Sequence, residues 1–114
     1  MRELSEIYTD WQDKLDQDEW YFSHSFENII ERLTPIEAYD SIPSVINELI
    51  KLREPYLIGE TLDFLHSIYH KADTTEVHPV VKQELKNIET VVQNVGDDYC
   101  KNALREWKTF LRIK

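Results

Sequence analysis

Glycine is nearly missing from this chain: Gly59 and Gly96 are the only two in 114 residues. A loop that cradles a phosphate with backbone N–H groups needs several glycines close together, and so does a Gly-x-Ser-x-Gly nucleophile elbow, so neither site is available here. Cysteine is scarcer still. Cys100, alone, forms no internal disulfide and supplies no thiolate metal cluster, which agrees with a reducing compartment. Basic residues are in deficit, 13 Lys and Arg against 22 Asp and Glu, giving a net charge of -9 and a pI near 4.8. That balance repels phosphate backbones and anionic membranes, so neither nucleic acid nor a membrane is an expected partner. No run approaches the roughly 18 apolar residues of a membrane span, and the start Met1-Arg2-Glu3-Leu4-Ser5-Glu6 lacks the apolar core of a secretory signal. The expectation is a soluble, cytoplasmic protein. Strict apolar-polar alternation is also absent, so no strand is expected.

What the chain does have is helical periodicity from end to end. With 41 % apolar and 11 % aromatic residues it can fill one core, and a single all-α domain over residues 1–114 is expected. Leu4, Ile7, Tyr8, Trp11 and Leu15 make one amphipathic stripe, and Phe22, Phe26, Ile29, Ile30 and Leu33 make the next. The two stripes lie in phase, but one continuous rod would put Asp18 and Glu19 on its apolar face. Asp16 followed by Glu19 reads as a capping box, so a turn is placed near residues 16–18. Thr34-Pro35-Ile36-Glu37 marks a firmer start, with N-cap threonine, proline at the first helical position and glutamate at the third. A short helix to about Tyr39 is expected there, then helices over 43–53 and 55–72, because Pro43 and Pro55 read as early helical positions. After the loop Asp73-Thr74-Thr75-Glu76, Pro79 begins a helix carrying Val81, Leu85, Ile88, Val92 and Val95. Gly96 is expected to end it in a left-handed conformation. Asp97 or Asp98 caps a last helix that buries Cys100, Ala103, Leu104, Trp107 and Leu111.

These helices pair into three hairpins. Pro43, Glu48 and Leu49 align with Pro79, Glu84 and Leu85, while Leu62, Leu65, Ile68 and Tyr69 align with Leu104, Trp107, Phe110 and Leu111. A spacing of about 40 residues per hairpin falls in the range of HEAT-type repeats. The architectures that fit are a stack of three helical hairpins, HEAT-like, or a closed helical bundle.

Candidate chemistry is sparse. Asp63-x-x-His66-x-x-x-His70 puts two imidazoles on one side of a helix, a beginning of a zinc site, but the glutamate that a zinc protease places between its histidines is absent. His24 falls on a polar helix face and His78 in a loop before proline. Cys100 faces the core of its helix, where a thiol behaves as a small hydrophobe. No catalytic residue, metal or cofactor is therefore assigned, and the chain is read as a non-enzyme.

Charge is laid out more tellingly. Residues 1–40 hold 11 acidic and 3 basic residues, a balance of -8, whereas residues 81–114 hold 5 acidic and 7 basic, a balance of +2. On a continuous first helix Glu3, Glu6, Asp10 and Asp13 share one sector opposite Leu15 and Tyr8, an acidic ridge; Lys101, Arg105, Lys108 and Arg112 make a basic one on the last helix. In Trp20-Tyr21-Phe22 only Phe22 joins the apolar stripe. Trp20 and Tyr21 either cover a neighbouring hairpin or stay partly exposed as anchors of the kind enriched at binding hot spots. Glu3, Glu6, Asp10, Asp13, Trp20 and Tyr21 are the candidate partner-binding residues.

With Trp11, Trp20-Tyr21-Phe22 and the two-helix units beginning at Pro43 and Pro79, this short acidic helical chain resembles the helical-repeat immunity proteins of bacterial toxin systems. The likeness is one of style across most of the chain, and no single functional residue is carried over. It implies a stoichiometric inhibitor whose acidic surface covers a basic, often nucleic-acid-cleaving, toxin domain. Two other classes fit the same residues: a helical adaptor or regulator binding a host partner, and a small metal-dependent enzyme using the Asp63, His66, His70 flank.

Overall fold

Thr34 and Glu37 form the reciprocal cap that their spacing predicts: Thr34 Oγ1 accepts from the Glu37 N–H at 3.1 Å, and Glu37 Oε1 accepts from the Thr34 N–H at 2.9 Å. In the computed structural model, which describes residues 1–113, this cap opens the fourth of seven helices, and no strand occurs among the described residues. The helices are α1 (Arg2–Tyr8), α2 (Trp11–Gln17), α3 (Tyr21–Glu31), α4 (Pro35–Leu49), α5 (Pro55–Ala72), α6 (Pro79–Val95) and α7 (Asp98–Phe110). Their principal packing partners define two layers. α1, α4 and α6 form one, with α4 between the others; α3, α5 and α7 form the other, with α5 in the middle; and α4 packs on α5, α6 on α7. α4–α5 and α6–α7 thus stack as two-helix units, while α1 packs on α4, α3 on α5 and α2 on α3, in a body of 38 × 34 × 20 Å. Its central α5 is buried at Leu57, Ile58, Gly59, Thr61, Leu62, Phe64, Leu65, Ile68 and Tyr69, because neighbours lie on several sides of it.

Four local expectations are corrected. The stripe from Leu4 to Leu15 is not one helix: the chain breaks at Thr9 and Asp10, and Asp10 takes a left-handed conformation at φ 53°. Asp tolerates that region better than most residues, and Lys14 Nζ donates across the corner to the Glu6 carbonyl at 3.2 Å. The next turn lies at residues 18–20 rather than 16–18. No Asp16–Glu19 box forms there; Asp18 Oδ1 instead accepts from the Trp20 N–H at 3.0 Å.

Pro43 does not begin a helix but lies inside α4, which runs unbroken from Pro35 to Leu49. Proline costs the helix one N–H bond to the carbonyl four residues back. Burial of Ala38, Ile42, Val45, Ile46 and Leu49 on the same helix outweighs that loss, since a fully buried aliphatic side chain contributes about 1.5 to 3 kcal/mol. The alignment of Pro43 with Pro79 therefore fails as a statement about helix starts. The companion alignment holds in the burial pattern for Leu62, Leu65 and Tyr69 with Leu104, Trp107 and Leu111, all in the core, but not for the fourth pair, where Ile68 is buried and Phe110 is only half-buried.

Gly96 ends α6 with φ -74°, in the ordinary extended region, so left-handedness is not its purpose. An added Cβ would stand 2.7 Å from the Val92 carbonyl oxygen and 2.9 Å from Cys100 Cβ. The close approach of α7 to the end of α6 is what requires glycine. Asp97, as expected, caps α7 by accepting from the Cys100 N–H at 3.0 Å.

Candidate functional site

The starts of α5 and α7 lie side by side, and the residues there were chosen for contact rather than for helix propensity. Gly59, in the second turn of α5, is the clearest case, since glycine inside a helix costs about 1 kcal/mol relative to alanine. A Cβ at that position would meet Tyr99 Cδ1 at 2.8 Å, so its absence lets the Tyr99 ring pack directly against α5. The Tyr99 hydroxyl then donates to Asp63 Oδ2, one turn further along. Beneath it, Cys100 Sγ donates to the Pro55 carbonyl at 3.1 Å, and burial pushes this thiol up to about 11, so it is no nucleophile. Tyr56 is fixed from the other side by Trp11 of α2, whose ring stacks on it.

Between the two tyrosines opens a pocket of about 380 Å³ lined by Pro55, Tyr56, Glu60, Asp97 and Tyr99. Carboxylates crowd this face. Burial first, and the neighbouring Asp63 charge second, hold the Glu60 carboxyl above its ordinary range. Asp63 is raised as well, chiefly by burial, with Glu106 pushing the same way and the Tyr99 hydroxyl bond and His66 opposing. The ion pairs among the described residues are Arg2–Glu6, Asp18–His24, Glu48–Lys51 and Glu89–Lys108, so Glu60, Asp63, Asp97 and Glu106 have no cationic partner there. Tyr56 and Tyr99 stay 41 % and 56 % exposed beside them.

Further along α5 the histidines of the Asp63-x-x-His66-x-x-x-His70 pattern do come together, but as stacked rings 4.9 Å apart and 15° from parallel, with Phe110 against both. Near-parallel imidazoles have lone pairs in separate planes that do not converge on one ion. Asp63 is meanwhile engaged by Tyr99. No group of three or more His, Cys, Asp and Glu in metal-holding arrangement occurs among the described residues.

The candidate partner-binding residues of the N-terminal segment divide. Glu3, Glu6, Asp10 and Asp13 are all exposed, but the break at Asp10 places Glu3 and Glu6 on α1, Asp13 on α2 and Asp10 at the corner, so they do not form the single-helix ridge. Glu3 and Glu6 line a shallow cleft of about 210 Å³ with Ile7, Tyr21, Ser25, Ile29 and Arg32. Tyr21 is half-buried, its hydroxyl donating to the Ile7 carbonyl at 2.7 Å, and it thereby ties α3 to α1. Trp20 stands 60 % exposed at the start of α3. On the basic side Lys101, Arg105 and Arg112 are exposed, and Lys108 reaches Glu89 of α6 at 3.7 Å.

Sequence reasoning missed Tyr56, Glu60 and Tyr99. A usable signal existed: Tyr56, Glu60 and Asp63 follow helical spacing beside the apolar stripe, with an otherwise costly glycine among them. What was lacking was the neighbour, because Tyr99 comes to α5 from 36 residues away. No helix among the described residues is long and apolar enough to cross a membrane. Comparison of the chain with protein-family models, with curated proteins and with solved structures finds no match.

Proposed function

We propose that this chain is a stoichiometric protein-binding inhibitor that neutralises a basic partner, in the manner of the immunity proteins its sequence resembles. The observation that supports this most is the pairing of exposed aromatic rings with carboxylates that have no ion-pair partner among the described residues: Tyr56 and Tyr99 flank Glu60, with Asp63 and Glu106 beyond. Aromatic residues are the commonest anchors of protein interfaces, and an uncompensated acidic face attracts a basic one over a distance of several ångströms and speeds encounter. The Trp11–Tyr56 stack makes the face continuous with the acidic corner at Asp10, so Glu3, Glu6, Asp10, Asp13 and Trp20 extend the same negative field.

The test is purification of the tagged chain from its native cell, followed by kinetics with the captured protein. A basic protein held one to one, whose toxicity on expression alone is abolished by co-expression, is the expected result. Reversing the charges at Glu3, Glu6 and Asp13 should slow association and flatten its salt dependence, and Trp20→Ala should speed dissociation. Capture of a signalling or transcription component that retains its activity in the complex would replace inhibition with the adaptor role.

A further inference from the structure

We infer that the pocket between α5 and α7 seats the side chain of one arginine presented by a basic protein partner. This rests on the protein-binding reading above and names its anchor. Size comes first: about 380 Å³ takes one long side chain rather than a helix, which is about 10 Å across. The walls supply the second argument. Two tyrosine rings, Tyr56 and Tyr99, present the electron-rich surfaces that attract a cation, and each is held in advance, Tyr56 by the Trp11 stack and Tyr99 by Gly59 and Asp63. Little ordering is left for the partner to impose, which is where affinity is usually lost.

Charge selects the occupant. Glu60 lines the pocket in a partly desolvated position with no ion-pair partner among the described residues, and Asp97 lines it too while capping α7. An anion would be repelled, and an apolar side chain would seal away from water a carboxylate that has no ion-pair partner among the described residues, which is costly. A guanidinium answers every feature at once. Its plane stacks on a tyrosine ring, its fork of N–H donors meets a carboxylate, and it sheds water more readily than an ammonium.

The inference is tested by nuclear magnetic resonance titration with Nα-acetyl-arginine amide, and with the citrulline counterpart as an uncharged probe of the same shape. Saturable shifts confined to Tyr56, Glu60 and Tyr99 are expected with the arginine compound, and binding at least about fivefold weaker with citrulline, as loss of a cation–π and charge contact implies. Glu60→Gln, which keeps the shape, and Tyr56→Leu should each weaken the arginine compound by a similar factor while thermal melting shows both variants folded. Equal binding of citrulline, unchanged affinity in Glu60→Gln, or shifts no larger in the pocket than elsewhere would overturn the proposal. Tighter binding of the lysine amide or of tetramethylammonium would overturn the assignment to arginine. If a captured partner binds both variants like the wild type, the pocket inference fails and the protein-binding reading stands. If the arginine compound seats but no protein partner exists, that reading fails and takes the partner's arginine with it.

Discussion

The rings of Trp11 and Tyr56 stack with 5.1 Å between centroids and 12° between planes, joining the first residue of α2 to the second of α5 across 45 positions of sequence. Phe22 leans on both, at 6.2 Å from Trp11 and 5.6 Å from Tyr56. The contact attaches α2, which buries no residue fully, to the central helix. Trp11→Ala should therefore lower stability by about 2 kcal/mol, less than the 3 to 5 typical of a fully buried aromatic. It should also release the α2 amides to faster hydrogen exchange. Protection of α2 equal to wild type would show that the stack does not hold it.

Tyr8 and Thr61 share a hydrogen bond between α1 and α5, and Thr61 is fully buried. Burial pushes the Tyr8 hydroxyl up to about 12 despite that bond. Tyr8→Phe strands the threonine hydroxyl and should cost about 1 to 2 kcal/mol in denaturant unfolding, whereas adding Thr61→Val removes the orphan and should recover most of it. Additive losses in the double variant would contradict this account.

The two glycines should respond differently to alanine. At Gly96 the new methyl meets the Val92 carbonyl oxygen, a backbone atom, and Cys100 Cβ, so Gly96→Ala should destabilise by about 1 to 3 kcal/mol although its φ is negative. At Gly59 the obstacle is the ring of half-exposed Tyr99, which moves only by giving up its surface hydrogen bond to Asp63, a loss offset by the roughly 1 kcal/mol that alanine gains over glycine inside a helix. Gly59→Ala should thus change the melting temperature little while reshaping the pocket, and tyrosine fluorescence with the titration above would detect it.

Carboxylates of opposite kind should show in the pH profile. Glu60 and Asp63 are raised in the folded chain, so the folded state binds protons more readily than the unfolded one. Their ionisation opposes folding at neutral pH, and stability from this source returns as pH falls through their raised values into the ordinary carboxyl range. Glu37 and Asp97, lowered chiefly by backbone N–H bonds, contribute the reverse: stability present above the ordinary range and lost as pH falls through their lowered values. Glu60→Gln should be more stable than wild type at pH 7, with the difference vanishing near pH 4. A constant difference across that interval would show that ionisation of Glu60 is not its origin.

Helix content and most of the core were readable from the amino-acid order, because a 3.6-residue period and short-range caps are local properties. Thr34 with Glu37, Asp97 with Cys100, and the buried set Cys100, Ala103, Leu104, Trp107 and Leu111 each depend on residues a few positions apart. Tertiary structure decided the places where a distant neighbour outweighed the local rule. Pro43 stays inside α4 because the core holds the helix on either side of it, and the first helix divides at Asp10 with Trp11 carried onto Tyr56. The same division dissolved the single-helix acidic ridge drawn from residues 3 to 13. The aromatic pocket was decided at this level entirely: Pro55, Tyr56 and Glu60 belong to α5, Tyr99 to α7 and Asp97 to its N-cap, and only the packing of α7 on α5 gives these five residues a common cavity.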